Sequence, residues 1–224
     1  MAKNFLASSF LFLFIYIFIA LGVFYKLDWV YNLDKSVISY IQSFITDSRT
    51  ALIIILTDFA GTISIIILTA LTVIFLIYKR MYILSLWFGM TILLGPGIFV
   101  YIMKKIVDRD RPGILRLAHV TSQSFPSGHS TAATVFIGLL SIFIILTVHA
   151  KWIKILSGVI AFSLITFIMF TRVYLGVHFP TDVLAGFSFG IAVVSLSIAL
   201  YKLYLDKVKQ ALFRRNIEDQ SPSI

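Results

Sequence analysis

Long apolar runs are the feature that most restricts what this chain can fold into. Six stretches meet or approach the roughly 20 mainly apolar residues that a membrane-spanning helix needs. They are Phe5–Tyr25, Phe59–Tyr78, Tyr82–Met103, Thr131–Val148, Ile155–Phe170 and Val183–Tyr204. With 59% hydrophobic and only 13% charged residues among 224, a soluble domain could not bury so much apolar surface in one core. The sequence therefore predicts an all-α integral membrane protein, a six-transmembrane-helix bundle that forms a single domain over residues 1–224.

The segment between the first two predicted spans has the pattern of a helix that lies in the membrane interface. Between Leu27 and Arg49, apolar side chains recur at spacings of three and four among polar ones. These apolar residues are Trp29, Leu33, Val37, Tyr40, Ile41 and Phe44. We therefore predict one amphipathic interfacial helix here. At the other end of the chain, residues from about 205 to 224 are polar and basic, and we expect a solvated cytoplasmic tail that touches anionic lipid.

Charge distribution predicts the orientation in the cell membrane. Six spans put both termini on one side, and with cytoplasmic termini that side holds ten of the 19 basic residues, against nine outside. Three of the nine outer residues belong to the phosphate motifs described below, and without them the count is ten against six, which favours this orientation. We therefore expect cytoplasmic termini and an active site on the extracytoplasmic face. The net charge of +9 is split across two faces, so a nucleic-acid partner is poorly supported.

Three polar clusters interrupt the apolar pattern, and all three fall on the same predicted side of the membrane. The first follows the third span and places Lys104 and Arg111 seven positions apart, in a loop without helical periodicity. The second is Phe125–Thr131, in which Ser127 can cap the fourth predicted span and Gly128 allows close backbone approach. The N–H groups of that helix start form an anion site, with His129 in its first turn.

The third cluster, Thr171–Asp182, links the last two predicted spans. Pro180 suits a helix start and Thr181 could cap it, which would place Asp182 in the first turn and His178 just before it. The Asp182 carboxylate could then accept a hydrogen bond from one imidazole nitrogen of His178. This would fix the tautomer and leave the other nitrogen as a nucleophile. Because the chain has no Cys, such chemistry must use His, Ser, Asp, Lys and Arg.

Together the clusters resemble a known signature. The pattern Lys104-x6-Arg111-Pro112, then Pro126-Ser127-Gly128-His129, then Arg172-x5-His178-x3-Asp182 resembles the three motifs of the type 2 phosphatidic acid phosphatase (PAP2) superfamily. It is similar in particular to the bacterial six-span members of the phosphatidylglycerophosphate phosphatase B type. One departure is Thr171, where the family usually has Ser. Both residues carry a hydroxyl, so we expect a slight shift of geometry and the same chemistry.

The resemblance implies a role for each motif position. The phosphate-binding residues would be Lys104, Arg111, Ser127, Gly128 and Arg172. His178, oriented by Asp182, would attack phosphorus, and His129 would protonate the leaving oxygen and later activate water. Neither a metal nor another cofactor is expected, because fixed cations and amides stabilise the transition state. The nearby carboxylates, Asp108 and Asp110, alternate with Arg109 and Arg111 and are predicted to form surface ion pairs.

The predicted function is therefore hydrolysis of the terminal phosphate of a lipid phosphate or pyrophosphate through a phosphohistidine. Phosphatidylglycerophosphate and undecaprenyl pyrophosphate are equally favoured, and no obligate protein partner is evident. Two alternatives stay open. A lipid transporter or flippase of the same fold would not hydrolyse its lipid, and a haloperoxidase-like enzyme would hold vanadate in the same cradle.

Overall fold

The computed structural model describes residues 2–58, 61–113, 115–118 and 120–223, without the side chains of Asp58 and Thr62, and this part of the chain is helical with no strand. Its α-helices are α1 (Ala2–Phe24), α2 (Asp28–Gln42), α3 (Asp47–Asp58), α4 (Thr62–Tyr78), α5 (Tyr82–Ile92), α6 (Val100–Val107), α7 (Gly128–Thr147), α8 (Lys151–Tyr174) and α9 (Pro180–Phe213). A π-helical segment, Leu93–Phe99, joins α5 to α6. The prediction of an all-helical membrane protein is confirmed.

Five helices in the described ranges are long and apolar enough to cross a membrane. They are α1, the continuous run Tyr82–Val107, α7, α8 and α9. The second predicted span contains only a shorter apolar helix, Ile63–Tyr78, and its predicted start at Phe59 lies outside the described residues. At 1.5 Å per residue such a helix covers about 24 Å of a hydrocarbon core about 30 Å thick. A sixth crossing therefore stays a prediction.

The segment 27–49, predicted as one amphipathic helix, forms two helices, and its position at the membrane interface stays a prediction. Bonds between residues three apart, from the N–H groups of Ser43, Phe44 and Ile45 to Tyr40, Ile41 and Gln42, tighten the last turn of α2 and end it. A new helix, α3, follows at Asp47 and continues to Asp58.

The face of α2 also differs from the predicted one. Val30, Asp34 and Ile38 are its buried residues, whereas Tyr40, which was assigned to the apolar face, is 68% exposed. The Asp34 carboxylate therefore lies in the middle of the face of α2 that packs against the other helices.

The tail predicted over about 205–224 is ordered against the protein, and its cytoplasmic position stays a prediction. Helix α9 continues to Phe213, and the residues beyond it fold back onto the start of α5. There the Asp219 carboxylate accepts a hydrogen bond from the Ile83 N–H (2.9 Å), and the Ser221 hydroxyl accepts one from the Leu84 N–H (3.0 Å). These N–H groups lie in the first turn of α5 and have no partner within the helix. The end of the chain thus caps a helix that lacks a cap of its own.

Helix α9 is the central element, and α1 and α7 pack along it. Helix α1 is antiparallel to α9, with the Ser9 hydroxyl donating to the Ala192 carbonyl (2.9 Å) and the Tyr16 ring packing on Phe189. Helix α7 is parallel to α9 and approaches it closely at two glycines. A Cβ on Gly186 would lie 2.7 Å from the Ser127 carbonyl oxygen, and one on Gly190 would lie 2.6 Å from the Thr134 Cβ. Small residues spaced by four are typical of close contact between membrane helices, and here they bring the starts of α7 and α9 together.

Candidate active site

The three motif clusters meet at one end of the bundle, where α7 and α9 begin and α6 and α8 end. The Ser127 N–H donates to the Asp182 carbonyl (3.1 Å), which ties the second cluster to the third. The Arg111 guanidinium lies 3.3 Å from the His178 Nε2, which joins the first cluster to the third. The charges of Lys104, Arg111 and Arg172 and the ring of His178 all act on His129 electrostatically. The structure thus brings the eight predicted site residues together.

His178 and Asp182 form a buried pair. The His178 Nδ1 is 3.5 Å from the Asp182 Oδ2, and the two residues are 2% and 0% exposed. The same carboxylate oxygen accepts from the Ser124 hydroxyl and from the Phe179 N–H (2.9 Å). The Ser124 Oγ is also 3.4 Å from the His178 Nδ1. This leaves Nε2, the nitrogen on the Arg111 side, facing the cationic part of the site.

The start of α9 places Asp182 next to His178, although its cap differs from the predicted one. Asp182 lies in the first turn of α9 as predicted, but the helix cap is Phe179 and not Thr181. Asp182 itself completes the cap by accepting from the Phe179 N–H. Just before this helix, Gly176 adopts a φ of +65°, a conformation that glycine adopts without steric cost. The resulting turn aims His178 back toward Asp182.

The protonation state of His178 follows from its surroundings. Burial lowers its pKa from 6.5 to about 3, Asp182 opposes this shift, and the cations Arg111 and Arg172 add to it. His178 is therefore neutral at physiological pH, which is the form that a nucleophile needs.

The second cluster is built as an anion site. Ser127 caps α7, as predicted, with its hydroxyl accepting from the Ser130 N–H (3.4 Å) and the Ser130 hydroxyl (3.0 Å). The first hydrogen bond of the helix runs from the Thr131 N–H to the Ser127 carbonyl (3.0 Å). The N–H groups of Gly128 and His129 come before it in the chain, at the positive end of the helix dipole. An oxyanion at this position would therefore meet backbone donors and a favourable dipole.

Two of the predicted cations are held by the loop that precedes this helix. The Lys104 ammonium donates to the Gln123 carbonyl. The Arg111 guanidinium donates to the carbonyls of Ser122 (2.7 Å) and Gln123 (3.2 Å), and also to the Val177 carbonyl. Burial lowers the pKa of Arg111 to about 10, so this side chain stays charged at pH 7. Both cations are thus fixed against the loop that leads into α7.

The third cation is held by a residue that the sequence did not point to. The Arg172 guanidinium donates to the Thr57 hydroxyl (3.0 Å), and Thr57 in turn lies 2.9 Å from the Thr171 hydroxyl. All three residues are buried. Thr171, the departure from the family pattern, therefore lies in a hydroxyl chain that anchors Arg172 to the end of α3.

The prediction of surface pairs around Asp108 and Asp110 is wrong for Arg109. Its guanidinium forms ion pairs with Asp34 and with Asp182, each at 2.6 Å. Asp34 was missed because α2 was interpreted as an isolated interfacial helix. Its spacing of four from Val30 and from Ile38 was a usable signal, since a carboxylate on a buried stripe needs a partner.

Comparisons with known proteins fit this geometry. A model of the PAP2 superfamily matches residues 84–205, more than half of the chain and all three motif clusters. The chain belongs to the PAP2 superfamily. A PAP2-type phosphatidylglycerolphosphate phosphatase from Bacillus subtilis has a crystal structure that covers 91% of this chain and 98% of its own, with a TM-score of 0.72 and 25% identity. The Aquifex aeolicus LpxE structure has a similar fold, with a TM-score of 0.58 at 22% identity, and the match covers 73% of this chain and 93% of that one.

Two curated relatives are similar in sequence over part of their length. Phosphatidylglycerophosphatase B of Bacillus subtilis is 38% identical over 132 residues, which are 55% of this chain and 61% of that protein. The undecaprenyl-diphosphatase of Sulfolobus acidocaldarius is 33% identical over 135 residues, 58% of this chain and 61% of its own length. The chain thus matches less than two thirds of each of these curated relatives.

Proposed function

We propose that this PAP2 protein is a membrane lipid phosphatase that removes the terminal phosphate of a lipid phosphate or pyrophosphate. The observation that carries the proposal is the buried neutral His178, paired with Asp182 and placed 3.3 Å from the Arg111 guanidinium. A neutral imidazole beside fixed cations is suited to attack on phosphorus. Phosphoryl transfer places charge on oxygens that such cations and helix N–H groups stabilise.

The reaction follows as two displacements. In the first, His178 Nε2 forms a bond to phosphorus, the bond from phosphorus to the lipid oxygen breaks, and His129 gives that oxygen a proton. In the second, His129 takes a proton from water, the water oxygen attacks phosphorus, and the bond to His178 breaks. The products are the dephosphorylated lipid and inorganic phosphate. Asp182 stays ionised and holds the Nδ1–H of His178 throughout.

The phosphate-binding roles divide between side chains and backbone. Lys104, Arg111 and Arg172 would bind the non-bridging oxygens, because all three act electrostatically on the His129 ring at the start of α7. Ser127 and the Gly128 amide would complete the cradle at the helix N-terminus. Within the described ranges, no three His, Cys, Asp or Glu side chains are grouped as metal ligands. Because fixed cations and helix N–H groups would supply the stabilisation of the transition state, the reaction is proposed to proceed without a metal or other cofactor.

An apolar tail is the proposed second half of the substrate. A groove of about 610 Å³ lies between α1, α5 and α9 and is lined almost entirely by apolar side chains. Phe99 and Phe189 line it with stacked rings 3.9 Å apart, and Tyr16 links Phe189 to Phe125, which directly precedes the second motif. The named activities of the relatives, phosphatidylglycerophosphatase and undecaprenyl-diphosphatase, support these two lipid classes as substrates.

The proposed location is the cell membrane, with the site on the extracytoplasmic face. Both ends of the described chain lie at the end of the bundle remote from the site, since the terminal segment contacts Arg80 and Ile83 and α1 is antiparallel to α9. The excess of basic residues at that end, once the phosphate motifs are set aside, favours a cytoplasmic position.

The test is phosphate release from purified protein in detergent, with EDTA present. Substrates would be phosphatidylglycerophosphate, phosphatidic acid and undecaprenyl pyrophosphate. We expect release from at least one of them, its abolition by His178→Ala, and no loss with His149→Ala, since His149 is an exposed residue at the far end of α7. No phosphate release from any substrate would contradict the proposal and favour a transporter. Halide oxidation with vanadate in place of phosphate release would favour the haloperoxidase alternative.

A further inference from the structure

Arg109 lies inside the first motif but contacts a different part of the site from Lys104 and Arg111. Its Nη1 donates to the Asp182 Oδ1 (2.6 Å) and to the Thr181 hydroxyl (2.8 Å), and its Nη2 donates to the Asp34 Oδ2 (2.6 Å). Its guanidinium carbon is 3.9 Å from the centre of the Phe179 ring, so its planar group is packed on one face. The side chain is only 17% exposed.

Asp34, a residue of α2, accepts hydrogen bonds from the start of α9. Its Oδ1 accepts from the Thr181 N–H (2.9 Å), and its Oδ2 accepts from the Thr181 hydroxyl (2.9 Å). Because Pro180 has no N–H, the Thr181 N–H is the first donor of α9 that lacks a partner within the helix. Helix α2 therefore supplies a cap to α9 from a position 147 residues earlier in the chain.

These contacts restrict how the Asp182 carboxylate can rotate. Arg109 binds one oxygen, Oδ1, while Ser124 and the Phe179 N–H bind the other, Oδ2. The Ser124 N–H also donates to the Arg109 carbonyl (2.8 Å), so the two side chains that bind Asp182 are themselves connected. With both oxygens held, Oδ2 stays directed at the His178 Nδ1.

We propose that Arg109 and Asp34 are positioning residues for the Asp182–His178 pair, and that α2 thereby holds the nucleophile in its reactive orientation. The inference rests on the proposed function of His178. A fork that bridges two carboxylates needs the planar, bidentate geometry of Arg, and the single ammonium of Lys does not reproduce it. Arg109 acts through Asp182 and leaves phosphate binding to Lys104, Arg111 and Arg172.

The first measurement is steady-state kinetics of Arg109→Lys in the full chain. We expect kcat to fall about 10- to 100-fold, by analogy with the range for residues that orient metal-binding side chains, with KM within about twofold of wild type. The matched control is Arg116→Lys, an exposed arginine of the same loop, which should keep kcat. An unchanged kcat in Arg109→Lys overturns the proposal, and a raised KM with an unchanged kcat would place Arg109 in phosphate binding instead.

The second measurement separates positioning from a general structural defect. In an Asp182→Asn background the carboxylate that Arg109 orients is already gone, so Arg109→Lys should lower kcat by less than about twofold further. Losses that multiply in the double variant would show independent effects and overturn the proposal. The same comparison of single and double variants is made with Asp34→Asn, which keeps the size of the side chain. It replaces the first comparison if Arg109→Lys does not fold. Wild-type activity in His178→Ala would instead refute the proposed role of His178 as the nucleophile, and phosphate release from none of the lipids by wild-type protein would refute the proposed function.

Discussion

At the scale of single residues, burial determines what His178 can do. Its ring is enclosed by Asp182, Ser124 and Arg111, and burial lowers its pKa from 6.5 to about 3. Below pH 6.5 the ring is protonated in the unfolded chain but still neutral in the folded protein, so the free energy of unfolding depends on pH. Between pH 6.5 and about 3 the unfolded state binds the extra proton, so stability falls as the pH falls.

This predicts a specific acid sensitivity. From pH 7 to pH 5, His178 alone should remove about 2 kcal/mol of the free energy of unfolding. His178→Asn has no titrating group at this position, so its thermal midpoint in detergent should fall less than that of wild type over the same pH change. Equal falls in the two proteins would show that His178 is not buried in its neutral form.

Single residues also mark the limit of what sequence patterns predict. The eight motif positions were identified because three short stretches next to helix ends together resemble the PAP2 signature. Thr57, which holds Arg172, and Asp34, which holds Arg109, act across 115 and 75 residues of chain. The spacing of Asp34 on the buried stripe of α2 indicated that this carboxylate needed a partner, but no local pattern identifies a partner so distant in sequence, and only the folded chain shows it.

At the scale of helices, the contact between α7 and α9 positions the site. Both helices start there, and Gly186 allows the Ser127 carbonyl to lie against α9. The apolar runs predicted where these helices lie, because a membrane helix must be apolar over its length. They did not predict the ends, since α9 begins at Pro180, before its apolar run, and continues beyond that run to Phe213.

Substitution of Gly186 tests this contact. In Gly186→Ala the new Cβ would meet the Ser127 oxygen at 2.7 Å, so the helices must separate, at a cost of about 1–3 kcal/mol. We expect a lower thermal midpoint and a lower rate of phosphate release. The control is Gly158→Ala in α8, where a Cβ meets nothing within 4 Å, and it should lose neither. A Gly186→Ala protein with wild-type stability and activity would show that the close approach is dispensable.

At the scale of the whole molecule, the site and the chain ends lie at opposite ends of the bundle. The site is assembled from α2, α3 and the ends of α6 to α9, while the terminal segment caps α5 through Asp219 and Ser221. Composition predicted the membrane and the helices, and the motifs predicted the family. The folded tail was not predicted, because its polar sequence is equally suited to water and only its contacts with α5 order it.

The central claim is that phosphate passes through His178, and a trapped intermediate tests it most directly. A labelled lipid phosphate would be mixed with wild-type protein, quenched in alkali, which preserves phosphohistidine, and the digest examined by mass spectrometry. We predict a phosphoryl group on the peptide that contains His178, absent in His178→Ala. A phosphoryl group on a different residue, or steady turnover by His178→Ala, would contradict the account.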